Sequence, residues 1–135
     1  MTKKYNSKLD PTIIIPIFLM LITIEVLMLL NRIWEGVLFI SFLTVLLIYL
    51  FQSTYYMLTD DNKLVVKAGF LFNKTIEVSS IKKIASTKSS IASPALSFDR
   101  LLISFNEYDT VIISPKNKKE FIEELRRINP AIVVE

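Results

Sequence analysis

The sequence predicts an α-helical membrane hairpin followed by a small α+β domain, in which a small antiparallel β-barrel is capped by a C-terminal helix. Three observations predict this fold class. Two long apolar runs occupy residues 12–30 and 36–56. Short β-branched runs bounded by turn-forming residues follow from residue 57 onward. Apolar residues near the C-terminus then repeat with the spacing of one helix face.

The composition excludes several classes of enzyme before any motif is considered. The 135 residues are 52% hydrophobic and 21% charged, and they include no Cys and no His. Without Cys there can be no disulfide and no thiol nucleophile, and without His there can be no Ser–His–Asp triad. The two glycines cannot build a glycine-rich phosphate loop. We therefore expect a protein that is not an enzyme and has no catalytic, cofactor-binding or metal-ligating residues.

Each apolar run is long enough to cross a membrane as a helix. At about 1.5 Å per residue, both runs reach roughly the 30 Å of a bilayer hydrocarbon core. Residues 31–35 between them allow only a tight turn, so the spans 12–30 and 36–56 form a hairpin. A cleavable signal peptide is the alternative for the first run. That run is longer than a typical signal core and lacks a small-residue cleavage site, so we expect it to be retained.

The charges that flank the spans predict their orientation. The tail 1–11 carries three lysines, whereas the turn 31–35 carries a single basic residue, Arg32. Because positive flanking charge stays in the cytoplasm, we expect a cell-membrane protein with two spans, an external turn and cytoplasmic N- and C-termini. Tyr55 and Tyr56, at the end of the second span, suit a membrane interface.

Glu25 is the ionisable residue within the spans, about 8 Å from the outer end of its helix. A carboxylate in hydrocarbon costs several kcal/mol, so it needs a partner or a proton. One interpretation is a protonated or snorkelling side chain that pairs with Arg32, two turns further along the same helix face. The other is a polar contact to a second membrane protein or to an intruding peptide.

Residues 57–135 predict a cytoplasmic domain of about six short antiparallel strands. Turn formers at 60–62 and 106–109 indicate two hairpins. Residues 81–85 fit either a strand or a helical turn, and 86–93 fit a loop or a weak edge strand. The expected strands cover 55–58, 63–68, 75–78, 81–85, 100–105 and 110–114.

A closing helix is predicted after the last strand. Ser114 can cap it, and Pro115 suits the first helical position, where the missing N–H does no harm. The helix ends at Asn129-Pro130. Its apolar stripe faces the sheet and consists of Phe121, Ile122, Leu125 and Ile128.

Several segments together resemble a known family. They are the two apolar runs, the run SPALSFDRL at 93–101, the run ISPK at 113–116, and Phe121-Ile122. In this order they resemble the bacterial PH-like domains of the YyaB-like type, over about residues 54–130. The resemblance implies a split β-barrel plugged by the C-terminal helix. By analogy with some membrane-anchored relatives, it also implies a link to bacteriocin immunity or antimicrobial-peptide resistance.

Basic residues of the domain are candidates for contact with lipid or a partner. The domain has 12 basic and 10 acidic residues, so an ordinary solvated surface is the simpler interpretation. The turn Asp60-Asp61-Asn62 is acidic where PH domains that bind phosphoinositides are basic, so we do not expect phosphoinositide binding. The domain has no basic stripe interleaved with aromatic residues, so we do not expect it to bind nucleic acid. The candidate contact residues are Glu25, Arg32, Lys82, Lys83, Lys88 and Arg100, with Lys116, Lys118 and Lys119 on the same proposed face.

Two functional hypotheses follow from this organisation. The first is a non-enzymatic protein-interaction module, in which a PH-like domain is held at the bilayer and contacts a membrane protein or another copy of itself. The second is a bacteriocin immunity or antimicrobial-peptide resistance protein, in which the hairpin and Glu25 intercept a membrane-active peptide. An enzyme is the least favoured class, because His and Cys are absent.

Overall fold

Two long helices precede a strand-rich domain in the computed structural model, which describes residues 2–88 and 97–135. The helices α1 (Pro11–Leu30) and α2 (Trp34–Gln52) form a hairpin, and the domain ends with helix α3 (Lys118–Ile128). This arrangement confirms the predicted fold class. Residues 89–96, which contain part of the predicted segment 86–93, lie outside the described residues.

The hairpin helices are long and apolar enough to cross a membrane. Their 20 and 19 residues correspond to about 28–30 Å of helix, close to the thickness of a hydrocarbon core. The carboxylate of Asp10 caps α1 by accepting a hydrogen bond from the Thr12 N–H, and Pro11 takes the first helical position. Leu21 and Ile40 are the buried residues of the two helices and the other side chains are at least partly exposed, which suits a lipid environment.

The second helix ends before the predicted boundary of 36–56. It stops at Gln52, and Thr54–Leu58 forms a strand instead. The sequence predicts Tyr56 at a membrane interface, but its side chain is fully buried in the core of the strand-rich domain. The apolar run continues through this point because the strand faces the domain core, and composition alone does not separate lipid-facing from core-facing residues.

The strands form two four-stranded sheets. They are β1 (Lys3–Asn6), β2 (Thr54–Leu58), β3 (Lys63–Ala68), β4 (Phe72–Glu77), β5 (Ile81–Thr87), β6 (Arg100–Phe105), β7 (Asp109–Ile113) and β8 (Val133–Val134). The first sheet has the order β1-β2-β3-β4 and the second has the order β7-β6-β5-β8. All neighbours are antiparallel except β5 and β8. The predicted strand at 81–85 is therefore a strand, and the one at 75–78 begins earlier.

The N-terminal tail is not a free tail, because it supplies the first strand of the domain. Tyr5 lies opposite Tyr56 in the antiparallel pairing of β1 with β2. The helical hairpin is thus inserted between two neighbouring strands of one sheet. Residues before α1 and residues after α2 consequently lie on the same side of the hairpin.

The two sheets meet where β1 leads into α1. The Lys8 N–H donates to Ser114 O at 2.7 Å, and the Lys116 N–H donates to Asn6 O at 3.0 Å. Ser7 and Pro115 form an isolated antiparallel bridge between these bonds. The two sheets are therefore joined at this seam by a few bonds, and they do not close into one continuous barrel.

Helix α3 plugs the domain with the apolar stripe that its sequence predicts. Phe121 and Leu125 are fully buried, whereas Ile122 and Ile128 pack at the margin of the core. The Phe121 ring meets the Tyr5 ring edge-on, with 5.2 Å between centroids. The helix thereby covers the inner face of the first sheet, and β1 is part of what it covers.

Candidate membrane and partner interface

A polar pair joins the two hairpin helices. The Ser41 hydroxyl on α2 donates a hydrogen bond of 2.6 Å to the Glu25 carboxyl on α1. Within the part of the chain that the structure describes, Arg32 forms no ion pair with Glu25. The partner of Glu25 is Ser41 and not Arg32, which the sequence offered. Arg32 instead occupies the left-handed conformation of the tight turn, with φ +57°. Sequence spacing along one helix could not identify a partner on the other helix.

Replacing Ser41 tests what this pair contributes to the hairpin. Ser41→Ala should weaken α1–α2 association by about 0.6 kcal/mol, a typical value for a hydrogen bond between membrane helices. Because the chain has no Cys, dyes on two introduced cysteines can report helix separation during SDS titration. Thr23→Ala is the matched control, since the Thr23 hydroxyl bonds its own helix at Leu19 O. Equal effects of both variants would contradict a role for the Ser41–Glu25 bond.

A network of charges fastens the base of α1 to the domain. Asp99 accepts hydrogen bonds from the ammonium groups of Lys118 and Lys8. The hydrogen bond from Lys118, helped by that from Lys8, holds the pKa of Asp99 below its ordinary value of 3.8. The Asp10 carboxylate also accepts a bond from the Ser97 hydroxyl at 3.4 Å. This network joins Ser97 and Asp99, just before β6, to the start of α1.

The lowered pKa of Asp99 gives the network a defined pH dependence. Since the folded state favours the ionised carboxylate, its contribution is complete above the unfolded pKa near 3.8 and disappears as pH falls through the folded pKa. We expect Asp99→Asn to lower the melting temperature at pH 6, by an amount that corresponds to less than about 1 kcal/mol because the pair is partly exposed.

The difference in melting temperature between the wild type and Asp99→Asn should shrink below about pH 3.8. Thermal melts in mild detergent from pH 6 to pH 3 would measure it. Glu107→Gln, an exposed turn residue, makes the same change of charge and is the control. A difference that stays constant over this range would contradict the assignment.

A buried hydroxyl cluster holds the seam between the sheets. Tyr56 donates to the Ser7 hydroxyl at 3.3 Å and accepts from the Ser114 N–H at 3.1 Å. Burial raises the pKa of Tyr56, so its hydroxyl stays neutral at physiological pH. The sequence predicts Ser114 as a helix cap, but the residue is fully buried at this seam.

The turn between β3 and β4 lies against the end of α2. Gly69 has φ +55°, and its N–H donates to Ser53 O at 3.3 Å. A side chain at this position would meet Leu50 Cδ2 at 2.6 Å. The Phe70 ring stacks on the Tyr49 ring, with 6.4 Å between centroids and 21° between planes. Local spacing does not predict this contact, although an apolar pair after a glycine in a turn is a signal for it.

The proposed basic face is only partly assembled. The pairing of β5 with β6 is irregular at Lys82, which has no opposite residue in β6. Lys82 and Lys88 are both exposed. Lys83 forms an ion pair of 2.7 Å with Glu135. Arg100 is only 7% exposed, and its Nε donates to Ser97 O at 2.7 Å. Arg100 therefore holds Ser97 in place, and its side chain is buried, although the sequence predicts it at the surface.

The acidic turn 60–62 lies at the end of β2 that is remote from α2. Thr54 starts β2 next to the helix, and the strand runs away from it to Leu58. Within residues 2–88 and 97–135, no group of three or more Asp or Glu side chains could hold a metal ion. The arrangement favours a polar turn that faces away from the helical hairpin.

Comparison with known families adds an independent observation. Residues 54–129 match the family model described as Bacterial PH domain, which covers more than half of the chain. The chain belongs to the bacterial PH domain family. In this bacterial PH domain, the matched region begins with β2 and ends one residue after α3. Strand β1 and both apolar helices lie outside it, while the YyaB-like type stays a prediction.

The search of curated proteins and the search of solved structures found no significant match. PH domains are in general interaction modules rather than enzymes, which agrees with the expected functional class. The specific role of this bacterial PH domain has to be argued from its geometry.

Proposed function

We propose that this protein holds a bacterial PH domain at the cytoplasmic face of the cell membrane, where the domain acts as a non-enzymatic protein-interaction module. The pairing of β1 with β2 carries the proposal, because it connects both ends of the helical hairpin to one sheet. If the helices span the bilayer, the domain and the N-terminus share one side. The lysines of the tail favour the cytoplasmic side.

The edge strand β4 supports a role in protein contacts. It pairs with β3 on one side, and no other strand in the described residues pairs with its outer side. Asn73, Thr75 and Glu77 are exposed along it. An exposed strand edge offers backbone donors and acceptors to a strand of a partner, which is a common mode of peptide recognition. The partner is a membrane protein or a second copy of the chain.

Site-directed photo-cross-linking tests this proposal in membranes. A photoreactive amino acid at Thr75 should give an adduct of one discrete mass, corresponding to the chain plus its partner or to a dimer. The same amino acid at Glu123, on the exposed face of α3, is the control. A chain that is monomeric in mild detergent and gives no discrete adduct at Thr75 would contradict the interaction module.

A bacteriocin immunity or peptide-resistance role is the second candidate. The half-buried Glu25–Ser41 pair favours it, because it places polar groups within the hairpin that an intruding peptide could contact. Expression of the wild type in a sensitive strain should then reduce killing, and Glu25→Gln should lower that protection. Unchanged killing across a panel of bacteriocins would remove this candidate.

A further inference from the structure

We propose that Phe70 and Leu71, in the β3–β4 turn, insert into the cytoplasmic interface of the bilayer and fix the orientation of the PH domain on the membrane. This inference deepens the proposed function and rests on its assumption that α1 and α2 span the membrane. The occupant of this surface is the lipid itself, and the contact lies beside the end of α2. The turn would make a third membrane contact next to the two helices.

The position of the turn relative to α2 carries the argument. Phe70 stacks on Tyr49, three residues before the end of the helix at Gln52. At about 1.5 Å per residue, Tyr49 lies roughly 4–5 Å inside that end. A ring stacked on Tyr49 is therefore held at the depth where a spanning α2 meets the headgroups. Aromatic residues are enriched at this depth of membrane proteins.

The exposure of the turn indicates what surrounds it. Phe70 and Leu71 are 67% and 69% exposed, although both are large and apolar. Tyr49 of α2, on which Phe70 stacks, is 51% exposed. The two stacked rings join the exposed turn and the exposed side of α2 into one apolar surface. Because the helical part of this surface faces lipid in a spanning hairpin, the adjoining part meets the same lipid.

The charges next to the turn fit the headgroup layer. The ammonium groups of Lys4 and Lys67 lie 4.3 Å and 5.9 Å from the centroid of the Tyr55 ring. Lys67 lies two residues before Gly69, and Tyr55 lies two residues after Ser53. Lysines at this level would be attracted to anionic headgroups above an inserted apolar turn. The acidic turn 60–62 lies at the opposite ends of β2 and β3, away from those headgroups.

The backbone of the turn is held in place by α2. Gly69 is buried against Leu50, where a side chain would not fit. Glycine also adopts the left-handed backbone conformation of this position without steric cost. The bond from the Gly69 N–H to Ser53 O attaches the turn to the residue after the helix. An inserted turn of this kind would restrict rocking of the domain about the hairpin.

Single-tryptophan variants in liposomes test the insertion. The chain has one Trp, so Trp34→Phe provides the background for Phe70→Trp, Tyr108→Trp and Phe42→Trp, each made in the full chain. Phe42 is 66% exposed within α2 and reports whether the helix is in lipid. Tyr108 lies in the turn at the ends of β6 and β7 that are remote from Ser97 and Ser114, the residues bonded to the base of α1. Vesicles contain phosphatidylcholine with or without phosphatidylglycerol.

Brominated acyl chains should quench Phe70→Trp and Phe42→Trp, whereas aqueous iodide should quench Tyr108→Trp. We expect lipid quenching of Phe70→Trp to exceed that of Tyr108→Trp at least threefold and to increase with phosphatidylglycerol. If iodide quenches Phe70→Trp while brominated lipid quenches Phe42→Trp, the turn is not inserted although the helices are in the bilayer. That result would overturn the proposed insertion and would not contradict the spanning hairpin. Shielding of Phe70→Trp from both quenchers would also overturn it, in favour of a protein cover. Loss of lipid quenching at Phe42→Trp would instead overturn the spanning hairpin itself.

Discussion

Tyr5→Ala is expected to destabilise the PH domain by about 3 kcal/mol, although Tyr5 lies outside the region that matches the family model. The ring is 6% exposed and packs edge-on against Phe121 at 5.2 Å. Its removal would leave a cavity between β1 and α3 and would loosen the pairing of β1 with β2. For a domain of this size, the loss corresponds to a fall of more than about 10 °C in melting temperature.

Two matched variants separate the ring of Tyr5 from its other properties. The Tyr5 hydroxyl is buried, and within the described residues it has no hydrogen-bond partner. Tyr5→Phe removes that hydroxyl and should leave stability unchanged or slightly increased, since an unsatisfied buried polar group is costly. Lys4→Ala alters an exposed neighbour on the same strand and should have a small effect. Thermal melts in mild detergent measure all three, and a wild-type melting temperature for Tyr5→Ala would show that β1 does not belong to the domain core.

Phe121→Ala is expected to cost about 3–5 kcal/mol, the largest effect of a single substitution that we predict. Phe121 is fully buried and contacts the rings of Tyr5 and Tyr56, so it joins α3 to both of the first two strands. A loss of this size is a large fraction of the total free energy of unfolding of a small domain. We expect α3 to detach and the domain to become sensitive to protease.

Pulse proteolysis across a urea series measures this loss as a shift of the unfolding midpoint. Glu123→Ala, on the exposed face of the same helix, controls for the change to alanine within α3. A Phe121→Ala protein with the midpoint of Glu123→Ala would show that α3 is not the plug of the domain. Because the hairpin helices satisfy their backbone hydrogen bonds internally in an apolar surrounding, their helical signal in circular dichroism should persist in both variants.

Composition and periodicity predicted the parts of the fold that are locally encoded. The two apolar runs predicted the hairpin, and the stripe that includes Phe121 and Leu125 predicted α3. The turns at 60–62 and 106–109 predicted the hairpins β2–β3 and β6–β7. Each of these features depends on residues close together in the chain, where side-chain spacing reflects which face is buried.

The missed features all depend on contacts between distant residues. Strand β1 is short and mostly polar, and its partner β2 lies beyond both helices. The place where α2 gives way to β2 is hidden because lipid-facing and core-facing residues are equally apolar. For the candidate site, Ser41 and Tyr49 acquire their roles only when Glu25 and Phe70 are brought next to them. Arg100 was assigned to the surface because its charge is visible in the sequence and its burial is not.

The insertion of the hairpin between β1 and β2 also determines the order in which the protein can be made. Tyr5 leaves the ribosome about 50 residues before its neighbour Tyr56, which corresponds to roughly 3–10 s of synthesis. During this interval the first strand has no sheet to join, while both apolar helices are being synthesised. In the spanning arrangement proposed above, the sheet can close only when the helices have returned the chain to the side where it began. In that arrangement, pairing of β1 with β2 requires that both helices have crossed the bilayer.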